Sequence, residues 1–242
     1  MMTLRLLQLN IERSKHFDRV LPFIRTHTPE VLCIQEIYEH DVPRFEALGY
    51  HAYFAPMNMR KEGDEEGVQG VALFSTLPMQ KTWTAQYGGT QGALPIYQGE
   101  TPEAKHDTQR FVATFTEIQK DGKVFRIGTT HFPWTPDGSA SDFQRTDMRT
   151  LVSVLEGIDS FVFAGDLNAP RGGEIFSMLA DRFRDDIPTE YTSSIDGSLH
   201  KAGPLPYMVD GIFSSPDYHV ADVRMHTGVS DHCALTATIF IK

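Results

Sequence analysis

Leu4, Leu6, Leu9 and Ile11 give residues 3–11 the near-alternation of a strand. The spacing then changes: Phe17, Val20, Leu21 and Ile24 recur at three- and four-residue steps, the period of an amphipathic helix. The unbroken run Val31-Leu32-Cys33-Ile34, inside 30–36, reads as a strand buried on both faces. Residues 42–48 read as a short helix that Gly49 ends. Strands are expected at 50–55 and 68–74, and a hairpin of 110–118 and 123–130 turns at Asp121-Gly122. Ser141-Asp142-Phe143-Gln144 has the form of a capping box opening a helix through Leu151, Val152, Leu155 and Ile158. A buried strand at 160–164 and a helix through Ile175, Phe176, Leu179, Ala180 and Phe183 follow, then strands at 207–213, 218–226 and 233–241. Residues 57–67 and 88–107, with their glycines and prolines, read as long surface loops. Helix-linked strands mixed with hairpin-linked strands predict a layered α/β sandwich with mixed sheets.

Composition narrows the class. The 242 residues are 40% hydrophobic and 22% charged, which excludes disordered, collagenous and coiled-coil chains. No linker or repeat divides them, so one domain over 1–242 is expected. No stretch approaches the roughly 20 apolar residues of a bilayer span. Arg5, Gln8 and Asn10 interrupt any signal-peptide core, and Cys33 and Cys233 are too few for a disulfide scaffold. A cytoplasmic protein is the resulting expectation, with no membrane and no obligatory protein partner. Net charge is −10, with no run of Lys or Arg, which disfavours tracking of long duplexes and favours a small or end-type phosphate substrate.

The chemistry-bearing residues collect at the ends of apolar strands: Asn10 and Glu12, Gln35-Glu36, His131, Asp166-Leu167-Asn168 and Ser230-Asp231-His232, with Asp210 inside an apolar strand. Strand ends of stacked sheets converge on one crevice. Carboxylates and carboxamides with two histidines suit Mg²⁺, with Mn²⁺ as the alternative, better than Zn²⁺. A hard cation, a base for water and donors for phosphoryl oxygens are what phosphoester hydrolysis needs.

The motifs Leu9-Asn10-Ile11-Glu12, Gln35-Glu36, Gly70-Val71-Ala72-Leu73-Phe74-Ser75, Thr130-His131-Phe132, Gly165-Asp166-Leu167-Asn168, Val209-Asp210-Gly211-Ile212-Phe213 and Ser230-Asp231-His232 occur in this order over nearly the whole chain. The set resembles the endonuclease/exonuclease/phosphatase superfamily, the deoxyribonuclease I-like group that includes tyrosyl-DNA phosphodiesterases and apurinic endonucleases. The resemblance implies a four-layer α/β sandwich, two mixed sheets face to face with helices outside, and a divalent-metal phosphoesterase. It implies Glu36 as main metal ligand, with Asn10, Glu12 and Asp231 beside it. It implies Asp166 as the group that orients or deprotonates the attacking water, and Asn168 as the donor that positions it. His232 would hydrogen-bond the phosphoryl oxygen with Asp210 as its partner, and His131 would belong to the same site. Leu9 departs from the aromatic residue many relatives carry there.

Two other functions compete with a phosphodiesterase acting on nucleic-acid ends, single strands or nucleotides. One is a phosphomonoesterase for inositol or another polyol phosphate, which the scarcity of basic clusters disfavours. The other is a catalytically dead phosphate-binding module, which retention of every polar position disfavours. Several residues also have plainer readings. Asp166-Leu167-Asn168-Ala169-Pro170 is good turn chemistry by itself. Glu12 and the cluster Glu62, Asp64, Glu65 and Glu66 read equally as solvated acids, Arg110 as a surface ion pair or a phosphate contact, and Trp134 as packing in preference to a stacking surface. Both cysteines read as small buried hydrophobes.

Overall fold

In the computed structural model, residues 3–62 and 65–242 are described. Met1, Met2 and Asp64 of the acidic cluster lie outside the described residues. One six-stranded sheet holds β1 (Thr3–Asn10), β2 (Val31–Tyr38), β3 (His51–Glu62), β4 (Glu65–Ser75), β11 (Tyr218–His226) and β12 (Ala234–Ile241), in the order β11-β12-β1-β2-β4-β3. The other holds β5 (Met79–Gly89), β6 (Arg110–Lys120), β7 (Lys123–His131), β8 (Val162–Asp166), β9 (Arg184–Asp185) and β10 (Asp210–Ser214), in the order β5-β6-β7-β8-β10-β9. Both sheets are mixed: β1–β2 and β7–β8 are parallel pairs among antiparallel neighbours.

The sheets pack face to face through Leu4, Leu6, Val31, Cys33 and Leu73 against Phe125, Ile127, Val162, Ala164 and Ile212. On one outer face, α1 (Phe17–His27) and α2 (Val42–Glu46) cover Leu7, Leu9, Ile34 and Phe74. On the other, α4 (Asp142–Glu156) and α5 (Glu174–Ala180) cover Phe115 and Phe163. The result is the expected four-layer sandwich. Strand β1 is buried on both sides: Leu4 and Leu6 meet the opposite sheet, while Leu7 and Leu9 meet the helices. The Asp121-Gly122 hairpin has φ of 50° and 79° at its two central residues, as a type I′ turn requires. The capping box is present, with Ser141 accepting from the Gln144 amide and Gln144 accepting from the Ser141 amide.

Four expectations change. Residues 57–62 and 65–67 are strand, not loop: β3 and β4 stay paired out to Glu62 and Glu65, a ribbon whose largely polar sequence conceals its strand character. Strand β5 was not expected at all; its Gln80, Lys81, Thr82 and Thr84 suit an edge strand with one neighbour. Within 88–107 lie the end of β5 and a short helix, α3 (Pro102–Asp107), whose Thr101 hydroxyl accepts from the Ala104 amide at 3.1 Å. The strand expected over 207–213 begins only at Asp210, and α4 stops at Glu156, short of Ile158.

Candidate active site

Register builds the floor of the site. In the second sheet His131 pairs with Asp166, and Asp166 with Asp210, so three expected residues form one row across β7, β8 and β10. In the first sheet Asn10 pairs with Gln35. Because the sheets face each other, the Asn10 amide donates to Asp166 Oδ2 at 3.0 Å and to Glu36 Oε1 at 3.4 Å. Its carbonyl oxygen accepts from the Glu12 amide at 3.0 Å, so in this arrangement Asn10 positions two carboxylates.

Glu36 is not past the end of its strand. It sits within β2 where the register with β4 shifts, a bulge, and its φ is 56°. Glu12 at 44°, Arg13 at 64° and Asn168 at 46° share this left-handed backbone. Such conformations cost about 1 kcal/mol or more each and persist where the surroundings over-determine them. At Glu36 the bulge re-aims the side chain out of the sheet's alternation and into the cleft.

Asp166 is 1% exposed, so it is a buried group and not a rim group. Its Oδ1 accepts the Asn168 backbone amide at 2.8 Å. Its Oδ2 lies 3.5 Å from His131 Nε2 and 3.7 Å from His232 Nε2. The Asn168 side-chain amide faces the Phe132 carbonyl and His131 Nε2, both at 2.9 Å, and so fastens the loop after β8 to the end of β7. Asp210, fully buried, accepts from His232 Nδ1 at 2.8 Å and from the Gln8 amide at 2.8 Å. Gln8 also donates to Gln35, and Gln35 to Thr129 Oγ1 at 2.8 Å. Sequence reasoning missed Gln8 as a member of this chain; its signal is a glutamine amid leucines, where an unpaired amide is costly to bury.

Electrostatics follow from this packing. Burial disfavours charge on His232, but Asp210 and Asp166 outweigh it and hold the imidazole well above its ordinary value. Burial, together with Asp210 and against the pull of His232, raises Asp166. Burial opposes ionisation of Glu36, yet His131, Arg13, Arg60 and His232 bring it below the usual carboxylate range. Asp231, 8% exposed, is pushed up to about 6 by burial and then by Glu36 and Glu12, against His232. Ligand atoms of Glu12, His16 and Asp231 lie within 4.8 Å of one another, and Glu12 bonds His16 at 3.0 Å and also Lys15. His16 is a further residue that sequence reasoning passed over.

These groups open into a cleft of about 570 Å³. Its walls carry Arg13, Lys15, Arg60, Lys105 and Lys201, five cations that are scattered in the sequence and gathered by the fold. The scarcity of basic clusters in the sequence therefore does not hold for the site. Trp134 is 42% exposed on the same wall, so the packing reading of this residue is overturned. Arg110 donates to the Gly92 carbonyl and pins the loop that follows β5. Cys33 and Cys233 are buried free thiols, as expected, with burial raising both and taking Cys233 to about 12. Among the described residues no helix is long and apolar enough to cross a membrane.

The profile of the Endonuclease/Exonuclease/phosphatase family matches residues 7–232. Over 134 residues, 49% of this chain, the sequence is 29% identical to the CCR4-Not complex 3′-5′-exoribonuclease subunit Ccr4 of Emericella nidulans, and the match spans 20% of that protein. The endonuclease/exonuclease/phosphatase from Bacteroides vulgatus superposes with a TM-score of 0.75 at 16% identity, covering 100% of both chains. The human Nocturnin catalytic domain with bound sulfate superposes with a TM-score of 0.73 at 19% identity, covering 99% of this chain and 94% of that one. At these identities the superpositions show the shared fold.

Proposed function

The chain belongs to the endonuclease/exonuclease/phosphatase family, and from that premise we propose that it is a divalent-metal-dependent phosphodiesterase acting on nucleic-acid ends or nucleotides through an activated water. The observation that carries the reading is the setting of Asp166 Oδ2, within 3.7 Å of Asn10, His131 and His232 and in the same cleft as Glu36, Glu12 and Asp231. The donor set fits a hard cation: three carboxylates face one cleft, and Asp231 is raised by burial and, after it, by the nearby Glu36 and Glu12, whose repulsion a cation relieves. Glu36, Asp231 and Glu12 would hold it, with Asn10 beside them. When bound, Mg²⁺ or Mn²⁺ supplies positive charge to the phosphoryl and leaving oxygens.

The chain's own groups do the rest. Asp166, held by the Asn168 amide and by Asn10, orients the water and takes its proton; its raised pKa makes it a stronger base once ionised. His232, kept protonated and oriented by Asp210, donates through Nε2 to a phosphoryl oxygen as charge develops there. A second reading, a phosphomonoesterase, is favoured by the five cations of the cleft, since a dianion needs more of them than a diester does.

The test is hydrolysis of bis(4-nitrophenyl) phosphate and of an end-labelled single-stranded oligonucleotide with Mg²⁺, Mn²⁺ or chelator, beside release of inorganic phosphate from nucleotide monoesters. Cation-dependent diester cleavage is expected. Unchanged turnover in chelator overturns the metal requirement, and phosphate release without diester cleavage replaces the first reading with the second.

A further inference from the structure

One end of the cleft is lined by cations and rings to which the proposed hydrolytic chemistry assigns no role. There Arg60, on the β3–β4 ribbon and only 8% exposed, lies 4.1 Å from the Tyr97 ring centroid. Lys105, on α3, places its ammonium 3.7 Å from the Trp134 ring centroid. Lys201 lines the same cleft from the loop before β10. Lys105 and Lys201 have no carboxylate partner among the described residues, whereas Arg13 and Lys15 are paired with Glu36 and Glu12. At Lys105 the Trp134 ring holds the cation in place without neutralising it, so that charge stays available to a ligand. Burial, then Lys201 and Arg60, lower the Lys105 pKa, so the cations repel one another across a shared space. An anion in that space removes the repulsion.

We propose that this end of the cleft is a second anion subsite, in which Lys105, Lys201 and Arg60 take a phosphate other than the one hydrolysed, belonging to a nucleotide whose base lies along the exposed surface of Trp134. The proposal rests on the phosphodiesterase reading for the placement of the first phosphate and deepens it: the substrate class becomes a nucleotide with two phosphates. That class covers a nucleoside bisphosphate and the terminal residues of an oligonucleotide. Inositol phosphates share the anionic part but lack a flat base for the indole.

The chain has two tryptophans, so a Trp83→Phe background isolates the Trp134 fluorescence. Trp83 is half-buried and stacked on Phe115, which a phenylalanine preserves. Adenosine 3′,5′-bisphosphate, a single-stranded trinucleotide, inositol bisphosphate and inorganic phosphate are titrated in chelator, which prevents turnover, with calorimetry on the unsubstituted protein as the second measurement. The bisphosphate is expected to quench saturably and to bind at least about tenfold tighter than inorganic phosphate or inositol bisphosphate. The trinucleotide arm tells an oligonucleotide end from a free nucleotide as the source of the second phosphate. Lys105→Ala with Lys201→Ala should weaken the bisphosphate about tenfold or more, as should Trp134→Ala by calorimetry. Equal binding of inorganic phosphate, or bisphosphate affinity indifferent to these substitutions, overturns the subsite. Retained bisphosphate binding in a protein that cleaves no phosphoester overturns the phosphodiesterase reading and leaves the subsite standing.

Discussion

The floor and the outer end of the cleft are built on opposite principles. On the floor, Asp166, Asp210 and His232 are at most 7% exposed, fixed by strand register, and held through Gln8, Gln35, Asn10 and Asn168, amides that do not titrate. At the outer end, Arg60 from the ribbon lies over Tyr97, and Lys105 from a short helix lies over Trp134 from a loop. A floor held by buried hydrogen bonds, with only Gln8 Oε1 buried without a partner among the amides named, suits groups that must meet a transition state within a fraction of an ångström. A looser rim suits recognition of parts of a substrate that do not react. On the proposed function, the difference would separate turnover from affinity, and it can be broken experimentally.

The largest expected effect is on the floor. Asp166→Asn keeps the shape and removes the proton acceptor, so kcat should fall by about 10²–10⁴ with KM little changed. Because Asp166 is buried, circular dichroism and Tm must accompany the kinetics; a variant that folds and keeps near-normal kcat removes Asp166 from the mechanism. Next is the Asp210–His232 pair at 2.8 Å. Each alanine substitution should lower kcat strongly, and the double variant should be little worse than His232→Ala alone, because the two act as one unit. Losses that multiply would show two independent groups. Gln8→Leu should follow in size. It removes a 2.8 Å donor to Asp210 while filling the space, so kcat should fall by about tenfold with the KM for substrate held, and Gln8→Glu should not restore it. A fall in Tm with unchanged kcat would leave Gln8 a packing residue only.

The same contrast explains what could be read from the sequence. The floor was legible because its residues lie in short contiguous motifs at strand ends, and register then brings His131, Asp166 and Asp210 into one row. The two-faced burial of β1 and the bulge at Glu36 were not legible, since both depend on which neighbour each face meets. The rim was illegible for a further reason. Arg13, Lys15, Arg60, Lys105 and Lys201 are spread from position 13 to position 201 and form no run, so net charge alone pointed the wrong way. Residues 57–67 read as loop because the ribbon's buried positions, Asn58 and Arg60 beside Met57, are mostly polar and give no apolar alternation.

The smallest expected effect concerns how the rim is fastened. His106 follows Lys105 on α3, and its Nε2 lies 2.9 Å from the buried carboxylate of Asp147 on α4. Gly88 leaves the room for this approach, since a Cβ there would stand 2.2 Å from Asp147 Oδ2. His106 is stacked between Phe111 and Phe143, with Asp107 on its other nitrogen. Burial disfavours its charge, but Asp147 and Asp107 outweigh burial and raise its pKa. A histidine raised on folding stabilises the fold fully below its unfolded value of about 6.5, and that contribution is lost as pH rises through the folded value. His106→Gln keeps an N–H for Asp147 but carries no charge. It should lower Tm by about 2–4 °C near pH 6, the effect of about 1 kcal/mol in a chain of this size, and by much less near pH 9. Floor residues fastened by amides should show no such pH-dependent gap when Gln35→Leu is compared in the same way. A His106→Gln deficit that stays constant with pH would mean that ring stacking, and not the ion pair, holds α3 and with it Lys105 at the mouth of the cleft.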